Sequence, residues 1–360
     1  MRILLVGGNG FIGSPLMREL HDSGHEVALF HRHAGAGPAG ADVVRNDVVR
    51  NEVVQIQGDR NRLSDYRIQL QRFSPEVIVD LILSSGEQAR QLMTTVREVA
   101  PRVVAISSMD VYRAWGVLHG VEPGPLEPLP LTEDSPVRTV RRLYAPETVK
   151  MMQSIFTWVD EQYDKIAVEE AILNDPVVLG TVLRLPMVYG PGDPLHRFFP
   201  LLKRCADGRS SILLPDDFAA WRGPRGYVEN VAHAIALAAT SDRAAGRVYN
   251  ICDEPTLPEL DWQAMIAKQQ KIAKQMNWPV RFVVLPRERT PKHLLLPGNA
   301  AQHVVATSAR IRAELGYKER VEIEEAIQRT ATWERRNPPS TINLQQFDYD
   351  AEDAALAQVA

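Results

Sequence analysis

The amino-acid sequence predicts a doubly wound α/β fold, in which a parallel sheet carries helices on both faces, followed by a smaller mixed C-terminal lobe. Three observations carry this expectation. Ile3, Leu4, Leu5 and Val6 follow one another without alternation, as in a strand buried on both faces. That run passes directly into a glycine-rich turn, with Gly7, Gly10 and Gly13 at three-residue intervals, and then into a helical pattern over residues 14–20. Further apolar runs alternate with helical patterns as far as residue 185, the order from which parallel sheets are built.

Each later element has its own signal. Gly24 is placed to stop the first helix. Residues 26–30 read as a second strand leading into His31 and Arg32, and the Ala/Gly/Pro-rich residues 34–41 as a surface loop. Residues 53–57 read as a third strand closed by Gly58 and Asp59, and residues 76–83 as a fourth, central one. A helical pattern covers residues 86–100, and a fifth strand over residues 102–106 ends at Ser107 and Ser108. From residue 113 the regularity breaks: Pro123, Pro125, Pro128, Pro130, Pro136 and Pro146 exclude long helices and central strands. A break of this length inside an α/β unit reads as an insertion that covers a substrate, here residues 113–157. Helical spacing returns over residues 159–173, a sixth strand over 177–185 and a late strand over 248–251. Residues 259–332 carry helical patterns, and the tail from residue 343, with Asp348, Asp350, Glu352 and Asp353, reads as acidic and loosely held.

Composition bounds the function. The chain has 360 residues, enough for a large core and two lobes, with 45% hydrophobic and 24% charged residues. A net charge of −4 gives no general attraction to nucleic acid or to an anionic membrane. No apolar run reaches the roughly 18 residues of a membrane span, and the N-terminus enters a strand without the regions of a signal peptide. Cys205 and Cys252 have no metal-ligand spacing, nor do the nine histidines, and both cysteines read as free thiols in a reducing compartment, the cytoplasm.

The glycine turn points to a dinucleotide. Gly7 permits the sharp turn, Gly10 lets backbone approach a pyrophosphate, and Gly13 lets helix pack close to strand. The helix N-terminus presents N–H groups and a positive dipole end to the phosphates. About 20 residues on, an acidic residue would bind the ribose 2′-OH of NAD. Arg32 stands near that place and suits a 2′-phosphate, so the cofactor expected is NADP, with NAD as the alternative.

Gly7-x-x-Gly10-x-x-Gly13 resembles the fingerprint of the short-chain dehydrogenase/reductase superfamily, extended branch, the epimerases and dehydratases of nucleotide sugars. Arg184, Pro186, Val188, Tyr189, Gly190 and Pro191 resemble the Arg-x-Pro-x-Val-Tyr-Gly-Pro stretch at which extended members leave the cofactor sheet for the substrate lobe. Residues 227–232 resemble the start of the returning helix and residues 248–251 the late strand, so the resemblance spans roughly residues 1–335. It implies a Rossmann-type dinucleotide-binding unit over residues 1–186 and about 224–252, a substrate lobe over 187–223 and about 253–340, and the tail 341–360. It also implies cofactor contacts from Gly7, Gly10, Phe11, Ile12, Gly13, Arg32, Lys165, Pro186 and Val188, with Asp59 on the adenine amino group. A homodimer through the helices near residues 87–100 and 165–173 follows from the same likeness.

In such proteins a Ser or Thr at the end of the fifth strand, a Tyr and a Lys cooperate, because a free phenol near pKa 10 is a poor base at neutral pH. Ser108, before Val111 and Tyr112, matches the hydroxyl residue. Lys165 and the residues after it resemble the run from the family's lysine, yet four positions earlier stands Glu161 in place of tyrosine. Tyr163 lies two positions away, roughly 200° around a regular helix. Either the helix starts after Tyr163, so that a turn delivers it to the site, or the usual acid/base is absent, with Glu161 and Tyr144 as rivals. Dehydratases of the family carry an Asp-Glu pair where this chain has Met109 and Asp110, which ranks dehydration below epimerisation or carbonyl reduction.

Arg222 and Arg225 flank Gly223 and Pro224 where relatives bring an arginine to a diphosphate, and His196 is expected to line the same cleft. The resulting expectation is an NAD(P)-dependent oxidoreductase or epimerase acting on a sugar-like, nucleotide-linked or free, hydroxyl or ketone. The rival is a cofactor-binding protein without turnover.

Overall fold

The strand β1 (Arg2–Val6) is buried from Ile3 to Val6, and its side chains divide between two cores: Ile3 and Leu5 join one, Leu4 and Val6 the other. That division is the physical reason for its unbroken apolar run. The computed structural model describes residues 1–32, 53–274 and 280–358, the side chains of residues 269–274 excepted, so the loop expected over residues 34–41 lies outside the described residues.

The strands β1, β2 (Glu26–His31), β3 (Val54–Gln57), β4 (Val77–Asp80), β5 (Arg102–Ser108), β6 (Leu179–Leu185) and β10 (Val248–Asn250) form one sheet. Its order is β10-β6-β5-β4-β1-β2-β3, with every pairing parallel. Helices Gly13–Asp22 and Val228–Thr240 contribute to the core on one face, and helices Arg67–Phe73, Gly86–Val96 and Lys165–Leu173 to that on the other. The chain runs outward through β2 and β3, then returns to place β4 on the other side of β1. The switch point therefore lies between β1 and β4, where ligands bind at strand C-termini in open α/β sheets. Two small parallel pairs complete the strands: β7 (Met187–Tyr189) with β9 (Arg225–Tyr227), and β8 (Ser211–Pro215) with β11 (Arg281–Leu285).

Several elements differ from expectation for local reasons. The first helix, by contrast, closes as expected: it ends at Asp22, and Gly24 (φ 79°) follows, its N–H bonding His21 O while His25 N–H bonds Leu20 O. The fourth strand stops at Asp80, not residue 83, because the Asp80 carboxylate accepts the Ile82 N–H at 3.0 Å and turns the chain. The helix expected from residue 159 starts only at Lys165, since Asp164 caps it by accepting the Ile166 and Ala167 N–H groups. Within the helical region expected after residue 259, Arg281–Leu285 is a strand, paired with β8. The acidic tail is not loose: residues Tyr349–Ala357 form a helix in which Glu352 is fully buried, bonded to Arg204 at 2.8 Å and to His293 at 3.0 Å. The insertion holds a helix at Arg113–Leu118 and another at Pro146–Ile155 that buries no residue, and Leu131 ties it to Val305 and Thr307 by main-chain bonds.

Candidate functional site

The glycine turn follows β1 at the switch point. At Gly13 a Cβ would lie 2.6 Å from the Gly8 backbone, so only glycine allows this helix to approach the strand so closely. Both polar atoms of the Asn9 side chain and the Ser14 hydroxyl are buried without a partner, and no side chain caps the helix. Unsatisfied polar groups in a glycine cradle at a helix N-terminus fit a phosphate-bearing ligand. Phe11 and Ile12 are partly buried and pack on the adjacent core. Arg32 and Asp59 line one cavity of about 260 Å³ together with Arg60, Asn61 and Ile82. In it Asp59 accepts the Asn61 N–H at 3.0 Å, and Arg32 donates to the Thr157 hydroxyl at 3.0 Å. Asp80 is buried beside Arg60 at 3.0 Å, which fixes this rim.

The strand β5 ends at Ser108, whose hydroxyl accepts the Asp110 N–H at 3.1 Å and so turns Asp110 inward. The late helix start at Lys165 leaves Tyr163 in non-helical chain, and its hydroxyl donates to Asp110 Oδ2 at 2.7 Å. Tyr144 of the insertion donates to the same oxygen at 3.3 Å. Asp110 is buried, and its Oδ1 has no partner. Burial first and the Asp110 charge second hold the Tyr163 phenol well above its ordinary pKa, with the Ser108 hydroxyl acting the other way, and burial with Asp110 does the same to Tyr144. Lys165 is buried too. Its Nζ donates to the carbonyls of Leu83 and of Ile106, the latter at 3.0 Å, and stands 5.6 Å from the centre of the Trp158 ring. Burial pulls its pKa down to about 8. Glu161 is exposed.

A second cavity of about 390 Å³ lies beyond. Trp115, Phe198, Phe218, Trp221, Trp262 and Ile266 line it, with His119 and Met187. Arg225 reaches this cavity, paired with Glu259 and stacked 4.6 Å from the Trp262 ring. Arg222 and His196 do not line it: Arg222 holds His303 through its main chain at 3.2 Å, and His196 bonds Glu334 at 2.5 Å and stacks on Trp333. Val188 is buried in the adjacent core, and Pro186 sits against Gly226 of β9 so closely that a Cβ there would lie 2.9 Å from its ring. A run of rings connects cavity and acid: Trp115 to His119 at 5.8 Å, His119 to Tyr144 at 5.6 Å, and Tyr144 to Tyr163 at 5.7 Å between centres.

Residues 3–252 match the model of the NAD dependent epimerase/dehydratase family. The chain belongs to this family. A relative in Escherichia coli (strain K12), the protein YbjS, is 27% identical over 195 residues, a match covering 47% of this chain and 55% of that one. The 2′-dehydrokanamycin reductase of Streptomyces kanamyceticus is 22% identical over 303 residues, covering 82% and 72%. Among solved structures, UDP-glucuronic acid 4-epimerase from Bacillus cereus, in complex with UDP-glucuronic acid and NAD, superposes with a TM-score of 0.65 at 16% identity over 93% of this chain and 99% of that one. The dTDP-glucose 4,6-dehydratase from Bacillus anthracis, in complex with NAD, gives 0.64 at 16% identity over 94% and 97%.

Within this epimerase/dehydratase scaffold, Ser108, Tyr163, Tyr144 and Asp110 meet at the end of β5. Asp110 is the residue that sequence reasoning passed over. In sequence it reads only as half of a missing acid pair, although its place two residues after Ser108 puts it at the strand terminus.

Proposed function

We propose that this chain is an NADP(H)-dependent oxidoreductase or epimerase acting at a hydroxyl or ketone of a ring substrate such as a sugar, with NAD as the alternative cofactor. The observation that carries the reading is the pair of tyrosine hydroxyls on the buried Asp110 carboxylate, at the C-terminal edge of the sheet. The turn Gly7–Gly13 with Asn9 and Ser14, together with Arg32, Asp59 and Lys165, would hold the cofactor, which when bound supplies hydride transfer. The chain's own part is proton handling. In the oxidative direction Tyr163 takes the carbinol proton while passing its own to Asp110 Oδ2, so the carboxylate, not a tyrosinate, ends with the proton. In the reductive direction the same relay runs backwards. A phenol held well above its ordinary pKa suits a relay, since it stays protonated between turnovers.

The Lys165 ammonium, with two of its three N–H groups on the Leu83 and Ile106 carbonyls and none on Tyr163, favours a second reading, cofactor binding without turnover. Nicotinamide fluorescence on mixing with NADPH and NADH, followed by a turnover screen of sugar nucleotides and free ring alcohols, separates the two. NADPH should bind more tightly, and Arg32→Ala should weaken it far more than NADH; equal loss for both would overturn the preference. A homodimer through helices Gly86–Val96 and Lys165–Leu173 is part of the proposal, and a monomer by light scattering at micromolar concentration would remove it.

A further inference from the structure

The cavity beside His119 differs from a diphosphate site in its charges. Its wall holds three arginines, and each already has a carboxylate. Arg225 is paired with the buried Glu259, Arg197 with the buried Asp193 at 2.6 Å, and Arg287 with Asp217 at 2.7 Å. Drawing Arg225 or Arg197 onto a phosphate would strand a desolvated carboxylate, which costs more than the new contact returns. The same pairing leaves no carboxylate of these three pairs ready for an ammonium group. His119, whose pKa burial lowers, adds no charge at neutral pH. Apart from Gln263, whose amide donates to Glu259 at 2.8 Å, the remaining wall is aromatic or aliphatic, and at about 390 Å³ the space is in the range of small-molecule sites.

We infer that this cavity takes an uncharged ligand with an apolar ring system, in preference to a nucleotide diphosphate or a polycationic sugar. The ring lies among Trp115, Trp221 and Trp262, and its carbonyl or carbinol points along His119 toward Tyr144 and Tyr163. The inference rests on the proposed function only for that orientation; the choice of ligand class follows from the wall itself.

The test uses the full chain without cofactor and reads tryptophan fluorescence, because three cavity residues are tryptophans. The probe is 1-tetralone, a neutral bicyclic ketone, with UDP-glucose and kanamycin as the charged comparisons. Tetralone should give a saturable change, and neither charged compound should displace it at up to about 1 mM, a concentration that excludes useful affinity. Phe218→Glu, which puts an unpaired charge into the wall, should weaken tetralone about tenfold or more, with folding checked by circular dichroism. Glu259→Gln, which frees Arg225, should let inorganic pyrophosphate compete where it did not before. No saturable tetralone signal, displacement by UDP-glucose or kanamycin in the parent, or unchanged affinity in folded Phe218→Glu would each overturn the inference. NADPH binding is measured separately, so loss of the cofactor reading would leave the ligand result readable.

Discussion

The Tyr163 hydroxyl donates to Asp110 Oδ2 at 2.7 Å, across 53 residues of sequence, because the helix that carries Lys165 begins after the tyrosine and not before it. A regular helix through residues 161–165 would have turned Tyr163 away from Lys165. If Tyr163 relays the proton, Tyr163→Phe should lower kcat by about a hundredfold or more while cofactor affinity stays within about twofold of the parent. Steady-state kinetics beside a fluorescence titration with NADPH decide it, and an unchanged kcat would remove Tyr163 from the chemistry.

Asp110→Asn addresses the same pair from the other side. Burial first and this carboxylate second raise the pKa of both Tyr163 and Tyr144, the carboxylate by charge repulsion against the phenolate. Replacing it with a neutral amide removes that repulsion, so both phenols should ionise at lower pH than in the parent. Difference absorbance of tyrosinate through an alkaline titration reads this directly. A difference spectrum showing no phenol moved downward would mean that Asp110 does not govern the two hydroxyls.

The glycine turn separates binding from folding. A Cβ at Gly10 meets only the Gly7 carbonyl, at 3.3 Å, whereas one at Gly13 meets Gly8 backbone at 2.6 Å. Gly10→Val should therefore keep stability within about 1 kcal/mol of the parent and lose nucleotide binding. Gly13→Ala should cost about 2 kcal/mol or more through overpacking against main chain that cannot move aside. Urea unfolding and NADPH titration on both variants check the contrast, and tight NADPH binding by folded Gly10→Val would refute the assignment.

The sheet was legible because its evidence is local: the unbroken apolar run of Ile3 to Val6 and the glycines after it need no distant partner to be recognised. Expectations failed where a side chain acts at long range. Nothing near Glu352 announces that Arg204, 148 residues away, will bury it, and an acidic tail read alone resembles a solvated one. The helix start at Lys165 was readable in principle, since Asp164 is a strong N-cap residue, but apolar spacing upstream of it outweighed the cap. Arg222 and Arg225 differ by three positions in sequence, and only β9 pairing with β7 brings Arg225 into the cavity wall.

The docked tail gives a stability prediction. Glu352 is fully buried and accepts from Arg204 Nε at 3.1 Å and Nη2 at 2.8 Å. Glu352→Ala strands the buried guanidinium and should cost about 3–5 kcal/mol, while Glu352→Gln keeps an acceptor and should cost less. Equal urea midpoints for the parent and Glu352→Ala would show that the tail helix adds nothing to the fold.

Lys165 makes the pH dependence of stability specific. Its pKa falls from 10.5 to about 8 on folding, chiefly through burial. Between these values the unfolded chain holds the proton that the folded chain has released, so stability rises with pH across that window and not elsewhere on this account. Below about pH 8 both states are protonated and the full burial cost is present; above about 10.5 neither is, and the cost is gone. The difference of about 2.5 units corresponds to roughly 3 kcal/mol. Lys165→Met lacks the titration but leaves the Leu83 and Ile106 carbonyls without their donor, an offset that does not change with pH. The parent should therefore gain roughly 3 kcal/mol on Lys165→Met between pH 8 and 10.5, whatever the offset at pH 7. Urea midpoints of both proteins at pH 7, 8, 9, 10 and 10.5 measure it. Parallel curves would mean that the Lys165 ammonium is as well solvated in the folded chain as in the unfolded one, and its place beneath Trp158 would have no electrostatic consequence.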